Sequence, residues 1–365
     1  MGFLDYYRQF DDVDEEEVNR ERRARREREK KLALERVPDL DLSGTEWPEM
    51  PLSEVVNAAI ARARGRVNGY PDRHAGDIRR ALAEQHDVEP ERIVLGNGAA
   101  ELLQTAALAL LSRGDELAMP WPSYPLYPLM AARAGAKPVP TSVETLREAI
   151  TERTRVVAIC NPNDPTGTYV PAAELGALLA ELPKDVHVLL DEALVHFQDR
   201  ESVDACLRLT DAFPNLLVVR TFSKIYGLSG LRCGYAVASS SSAELLGAIA
   251  PVLGVNALTQ AAVLHALRSG QAEIALRRQA VLRERTRILA ALRELPVDAS
   301  DSQANFVWLR ARSLPGDQLA ERLRREGVFV SPGGPLGAED HVRATVRDGP
   351  ASDRLLHALE HSLQA

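Results

Sequence analysis

Five lysines occur in the chain, and one of them stands apart. Lys30 and Lys31 fall in a highly charged stretch, and Lys137 and Lys184 adjoin prolines in expected turns. Lys224 follows the run LLVVRTFS, where an apolar strand should end. A primary amine there is partly desolvated and can lose its proton, which Schiff-base chemistry requires and a guanidinium cannot do. On position alone, a lysine packing its stem and keeping its ammonium in water is the better account. The neighbours add chemistry: the hydroxyls of Thr221 and Ser223 precede the lysine, and Arg232 follows it by eight residues. Hydroxyls and a guanidinium fork suit a phosphate ester; taken alone, the stretch also reads as a glycine-rich surface loop.

A second anion element is VLGNGAAELLQ, in which Gly96 and Gly98 permit a tight turn and Gly98, Ala99 and Ala100 open a helix. Backbone amides at a helix start form an anion site, although this is not the dinucleotide G-x-G-x-x-G pattern and a plain strand-to-helix turn also explains it. Asp191 ends the run VHVLL. Opposite a pyridine nitrogen its carboxylate would keep that nitrogen protonated and make the ring an electron sink; capping a helix is the other reading. CNPNDPTGTYV follows a further strand end, with a rigid proline- and glycine-rich loop offering Asn161, Asn163 and Asp164.

The elements that must position these residues are legible from periodicity. Seven short apolar runs (RIVLG, DELAMP, AKPVP, RVVAIC, VHVLLD, NLLVVR and CGYAVA) alternate with helical stretches such as AAELLQTAALALL and PAAELGALLAEL. Continuous apolar runs separated by helices predict a mostly parallel seven-stranded sheet covered on both faces. A helical region from about Thr259 to Arg293 follows. The grammar then changes to short alternating strands (ANFVWLR, GVFVS, HVRATV) interleaved with helices, a smaller α+β lobe.

At 365 residues, two lobes are the natural expectation. The net charge of -8 excludes a nucleic-acid partner, which needs a basic face. Residues 14–36 are almost solidly charged with both signs mixed and read as a solvated helix, followed by an irregular arm, VPDLDLSGTEWPEMP. Cys160, Cys206 and Cys233 are widely spaced without a C-x-x-C pair, so no metal or disulfide framework is expected and a reducing cytoplasm fits. No leader or membrane-spanning run is expected either.

In order, YPD, GNGAAE, PSYPLY, NPNDPTG, DEA and TFSKIYGLSGLRCGY resemble class I/II aminotransferases that use pyridoxal 5'-phosphate (PLP) on fold type I, and among them the histidinol-phosphate aminotransferase family. The resemblance runs from about residue 40 to the C-terminus. It implies an N-terminal helix and arm over 1–50, a large cofactor domain over 51–260, and a small domain over 261–365 with which the arm packs. It further implies that Lys224 forms the Schiff base and shuttles the substrate Cα proton, that Asp191 pairs with the pyridine nitrogen, and that Tyr124 stacks on the ring. Thr221, Ser223, Arg232 and the Gly98 to Ala100 amides would hold the phosphate. Tyr70 would reach the phosphate of a neighbouring subunit, making a homodimer with shared sites. Arg343 in DHVRATVRDG would clamp the substrate carboxylate, with Arg347 beyond the site.

Three departures from the family pattern bear on chemistry. Leu194 stands where a tyrosine is usual and Asp164 where an asparagine is usual, both beside the cofactor phenolate; these changes should raise the pKa of the cofactor Schiff base. Ser331 stands where histidinol-phosphate enzymes carry a phosphate-binding arginine. A hydroxyl cannot replace that charge, so the expected substrate is a non-phosphorylated amino acid, apolar or aromatic, with Trp47 of GTEWPE near the pocket mouth. The expected reaction is amino-group transfer to a 2-oxo acid. Decarboxylation, elimination or ring closure on the same fold, the histidinol-phosphate reaction itself, and a ligand-sensing module remain the alternatives.

Overall fold

The computed structural model describes residues 20, 22, 23, 25, 38–65 and 67–364. The chain separates into two compact units, 1–40 and 41–365. In the first, Arg20, Arg22, Arg23 and Arg25 are helical; the rest of the expected charged helix over 14–36 lies outside the described residues.

The second unit holds a seven-stranded sheet of β1 (Ile93–Gly96), β2 (Glu116–Pro120), β3 (Lys137–Thr141), β4 (Thr154–Cys160), β5 (His187–Asp191), β6 (Leu216–Thr221) and β7 (Gly234–Ala238), in the order β1-β7-β6-β5-β4-β2-β3. All seven expected runs are strands. Pairing is parallel from β3 through β6, while β7 runs antiparallel to both β6 and β1. Outside the edge strand β3, whose residues are exposed or half-buried, the sequence is near-continuously apolar because both faces are covered. Alternation sends Val156, Ala158, Leu189, Leu217 and Val219 into one apolar cluster with Leu102, Leu103 and Tyr127, and Val157, Ile159, Val188, Leu190 and Val218 into another with Leu175, Leu178 and Leu179. Each such side chain contributes about 1.5–3 kcal/mol on burial, so the sheet is a stiff platform.

Register decides what sits at its edge. Cys160 is paired with Asp191, Asp191 with Val219, Thr221 with Gly234, and Gly234 with Gly96. The ends of five strands and the turn before α1 (Ala99–Leu110) therefore meet. Gly234 is required there, since a Cβ would stand 2.5 Å from the Ala99 nitrogen. On the opposite face Arg220 is fully buried and donates to Glu192 Oε2 (Nε, 2.8 Å), Asp204 Oδ1 (Nη1, 2.6 Å) and the Val203 carbonyl (Nη2, 2.7 Å). This pins the residues next to Asp191 and Thr221.

A second, antiparallel sheet comprises β8 (Val297–Ala299), β9 (Phe306–Ala311), β10 (Ser331–Pro332) and β11 (Val342–Thr345), ordered β10-β11-β9-β8. β8 is an addition, too short and polar to show a strand pattern. The helical region expected over about 259–293 is two helices, α2 (Ala257–Ser269) and α3 (Gln271–Leu292), broken at Gly270, where a Cβ would meet the Ala266 carbonyl. The expected boundary at 260 falls inside α2. No helix among the described residues is long and apolar enough to cross a membrane.

Candidate active site

A cavity of about 710 Å³ opens at the edge where β4, β5 and β6 end. Lys224 lies in the turn after β6, fixed by the Gly227 amide donating to its carbonyl (3.0 Å), and its Nζ donates to Thr45 Oγ1 at 2.5 Å. Burial pushes the amine below the ordinary lysine range and Arg343 pushes the same way, against the pull of the Asp164 carboxylate. Asp191, also buried, accepts the Ala193 amide on Oδ1 (3.0 Å) and the Tyr127 hydroxyl on Oδ2 (3.2 Å). Burial nevertheless raises its pKa to about 6, which the two hydrogen bonds oppose. A buried amine and a buried carboxylate thus share one cavity.

At its far end the cavity meets the start of α1. Gly98 precedes the helix at φ +105°, and a Cβ there would collide with Arg232 Nη2. Arg232, itself at φ +52°, holds its guanidinium by donating from Nη1 to the Ser229 carbonyl at 2.8 Å. Thr221 Oγ1 donates to Ser223 Oγ (2.9 Å) and accepts the Ser223 amide (3.0 Å). Ala99, Ala100, Thr221, Ser223 and Arg232 all line the cavity, so hydroxyls, a guanidinium and a helix N-terminus converge, the donor set for a phosphate. Tyr124 lines the wall between this end and Asp191, packed edge-on against Tyr127 with centroids 5.9 Å apart.

The opposite wall is assembled from distant segments. Arg343 on β11 donates from Nη1 to Asp164 Oδ1 at 2.5 Å and from Nη2 to the Ser43 carbonyl at 3.0 Å, while its Nε is buried without a hydrogen-bond partner. Asn305 Nδ2 holds the Thr45 carbonyl at 3.0 Å. Asn161 and Asn163 serve the loop: Asn161 exchanges two 2.8 Å bonds with the Val170 backbone, and Asn163 accepts from Ser123 and donates to Thr166 and the Pro122 carbonyl. Of the cavity expectations, Leu194 is a buried wall residue, whereas Trp47 and Ser331 lie off the cavity; Tyr70, expected at a neighbouring subunit's site, does not line its own. Trp47 stacks under the Arg277 guanidinium at 4.8 Å, Ser331 pairs with Arg343 across the sheet, and Tyr70 is 87% exposed. Arg347 is not a wall residue either.

A family model for aminotransferase class I and II matches residues 38–361. The chain belongs to this family. Among relatives of this aminotransferase, the aromatic amino acid aminotransferase of Corynebacterium jeikeium is 39% identical over 339 residues, 89% of each chain. That of Cutibacterium acnes is 35% identical, covering 88% of this chain and 92% of its own. Among solved structures, histidinol-phosphate aminotransferase from Sinorhizobium meliloti in complex with pyridoxal-5'-phosphate superimposes with a TM-score of 0.80 at 25% identity, covering 90% of this chain and 92% of that one. The aminotransferase fold is thus fold type I, as the sequence motifs implied.

Several residues in and around the cavity escaped the sequence reading, Leu103, Leu126 and Leu129 among them, and three bear directly on its geometry. Tyr127, whose hydroxyl contacts Asp191, is the second tyrosine of PSYPLY and falls one helical turn after Tyr124. Thr45 meets the lysine and Leu336 closes the cavity. Nothing in the local sequence around Thr45 or Leu336 announces contacts with residues so distant along the chain.

Proposed function

We propose that the cavity holds PLP on Lys224 and that the enzyme transfers the amino group of an aromatic or apolar, non-phosphorylated amino acid to a 2-oxo acid. The observation that carries this reading is the half-buried Lys224 lining the same cavity as the buried carboxylate of Asp191, together with the phosphate donor set. When bound, the pyridine ring supplies a sink for the electron pair released as the Cα proton leaves. Lys224 does the proton work: burial favours its neutral form, so it can take the Cα proton and return it elsewhere on the substrate. Thr45, accepting from Nζ, aims that amine. Asp191, held by Ala193 and Tyr127, makes no ion pair among the described residues, and a protonated ring nitrogen would give it one. Thr221, Ser223, Arg232 and the Gly98 to Ala100 amides hold the phosphate, Tyr124 covers the ring, and Arg343 receives the substrate carboxylate.

The walls favour apolar side chains, with Leu103, Leu126, Leu129 and Leu336 lining the cavity, and the relatives named above are aromatic amino acid aminotransferases. Ser331 offers no charge for a substrate phosphate. We extend the proposal to a homodimer in which Tyr70 reaches the phosphate of the neighbouring subunit. Its exposure, together with the exposed Leu52, Val56, Ile60, Val252 and Leu253, supports a subunit interface. Domains over 51–260 and 261–365 and a cytoplasmic setting, which suits three buried free cysteines, complete the reading. Borohydride reduction of the purified enzyme followed by peptide mapping should place a pyridoxyl label on Lys224; a label on another lysine, or none, sinks the proposal. Mixing the enzyme with a panel of amino acids and following loss of its visible band should rank phenylalanine or tyrosine ahead of histidinol phosphate.

A further inference from the structure

The Arg343 guanidinium is already engaged from within the chain. Its Nη1 donates to Asp164 Oδ1 at 2.5 Å, its Nη2 to the Ser43 carbonyl at 3.0 Å, and its Nε to nothing. Both members of the ion pair are largely buried and both line the cavity. A guanidinium offers its full strength to a carboxylate through two parallel N–H groups. Here one terminal nitrogen holds a carboxylate and the other a carbonyl. An incoming substrate carboxylate must displace Asp164 or share the arginine with it, and two carboxylates on one buried cation repel each other. An asparagine at this position would present an amide and leave the positive charge of Arg343 uncompensated.

We infer that Asp164 is a specificity-determining residue that competes with the substrate carboxylate for Arg343. This rests on Arg343 being the carboxylate seat. With the carboxylate seat weakened, the side-chain contacts to Leu103, Leu129 and Leu336 decide which substrates bind. Substrates with large apolar side chains then gain over small ones.

The test is calorimetric binding of two non-reacting probes to the holoenzyme: 3-phenylpropanoate, and 3-phenylpropanamide as its neutral counterpart. The Asp164→Asn variant should bind the carboxylate about ten-fold more tightly, the scale expected when a like charge is removed from a buried site, and the amide within about two-fold of the parent. The Asp164→Ala variant, which removes the same charge with a different side chain, should repeat the result. In an Arg343→Gln background the gain from Asp164→Asn should vanish. Unchanged or weaker carboxylate binding by the Asn and Ala variants overturns the inference, as does a gain that survives without Arg343, which would make Asp164 a general repulsive charge. If Arg343→Gln alone leaves carboxylate binding intact, the assignment of the seat itself fails, a result separable from the other two.

Discussion

Asp191, Thr221 and Lys224 stand at or just beyond the ends of buried, register-matched strands. Thr45, Asp164 and Arg343 come instead from an extended arm, a proline-rich loop and a four-residue strand, joined largely by side-chain bonds to one another and to carbonyls. The first wall is fixed before any ligand arrives, because moving one of its residues means shifting a packed sheet. In the second, Thr45 and Asp164 can be rearranged by breaking a few hydrogen bonds, and Arg343 alone is carried by a strand, paired with Trp308 and Ser331. Chemistry common to a whole family belongs on the first kind of wall, and substrate choice on the second.

The largest test of this contrast strikes beneath the sheet wall. Arg220→Met leaves Glu192 and the partly buried Asp204 without their cation, and should cost about 3–5 kcal/mol in equilibrium urea unfolding; a loss near zero would mean the wall does not depend on that anchor. Next in size is a pH effect at Asp191. Its folded pKa of about 6 lies above the unfolded value of 3.8, so the fold bears a cost that is absent below about pH 3.8, grows between the two values, and is complete above about pH 6. In the cofactor-free protein, Asp191→Asn should therefore raise stability at pH 8, by up to about 3 kcal/mol, with the gain gone by pH 4; thermal melts across that range read it directly. The smallest expected effect is on the arm. Trp47→Leu removes the contact with Arg277, worth about 1 kcal/mol, and should raise KM a few-fold while leaving kcat nearly unchanged. A fall in kcat as large as that caused by damage to the sheet would erase the distinction between the walls.

The same contrast explains what could be read before the fold was known. Six of the seven strands of the large sheet were visible as apolar runs because burial on both faces writes a continuous pattern, whereas the edge strand β3 has no buried residue and showed only as the short run AKPVP. Lys224 and Asp191 were visible because each is a charged group set at the end of such a run. In the GTEWPE arm the Trp47 ring packs on Arg277 and its small neighbour Thr45 meets the lysine, an arrangement no local pattern encodes. Asp164 was recognised as unusual, but its partner Arg343 is 179 residues away, and no periodicity encodes a side-chain pair at that separation. Tyr127 reaches Asp191 only because α-helical spacing and the register of β5 bring them together.

The arm that delivers Thr45 to Lys224 is held by Asn305 and by Arg343, while Thr345 bonds the Gly44 carbonyl. During translation the sheet can assemble once about 240 residues have left the ribosome, but the segment made early must wait for one made more than a hundred residues later. Until then the Lys224 amine lacks the wall that these contacts supply, so a nascent or C-terminally truncated chain carries that amine without its enclosure.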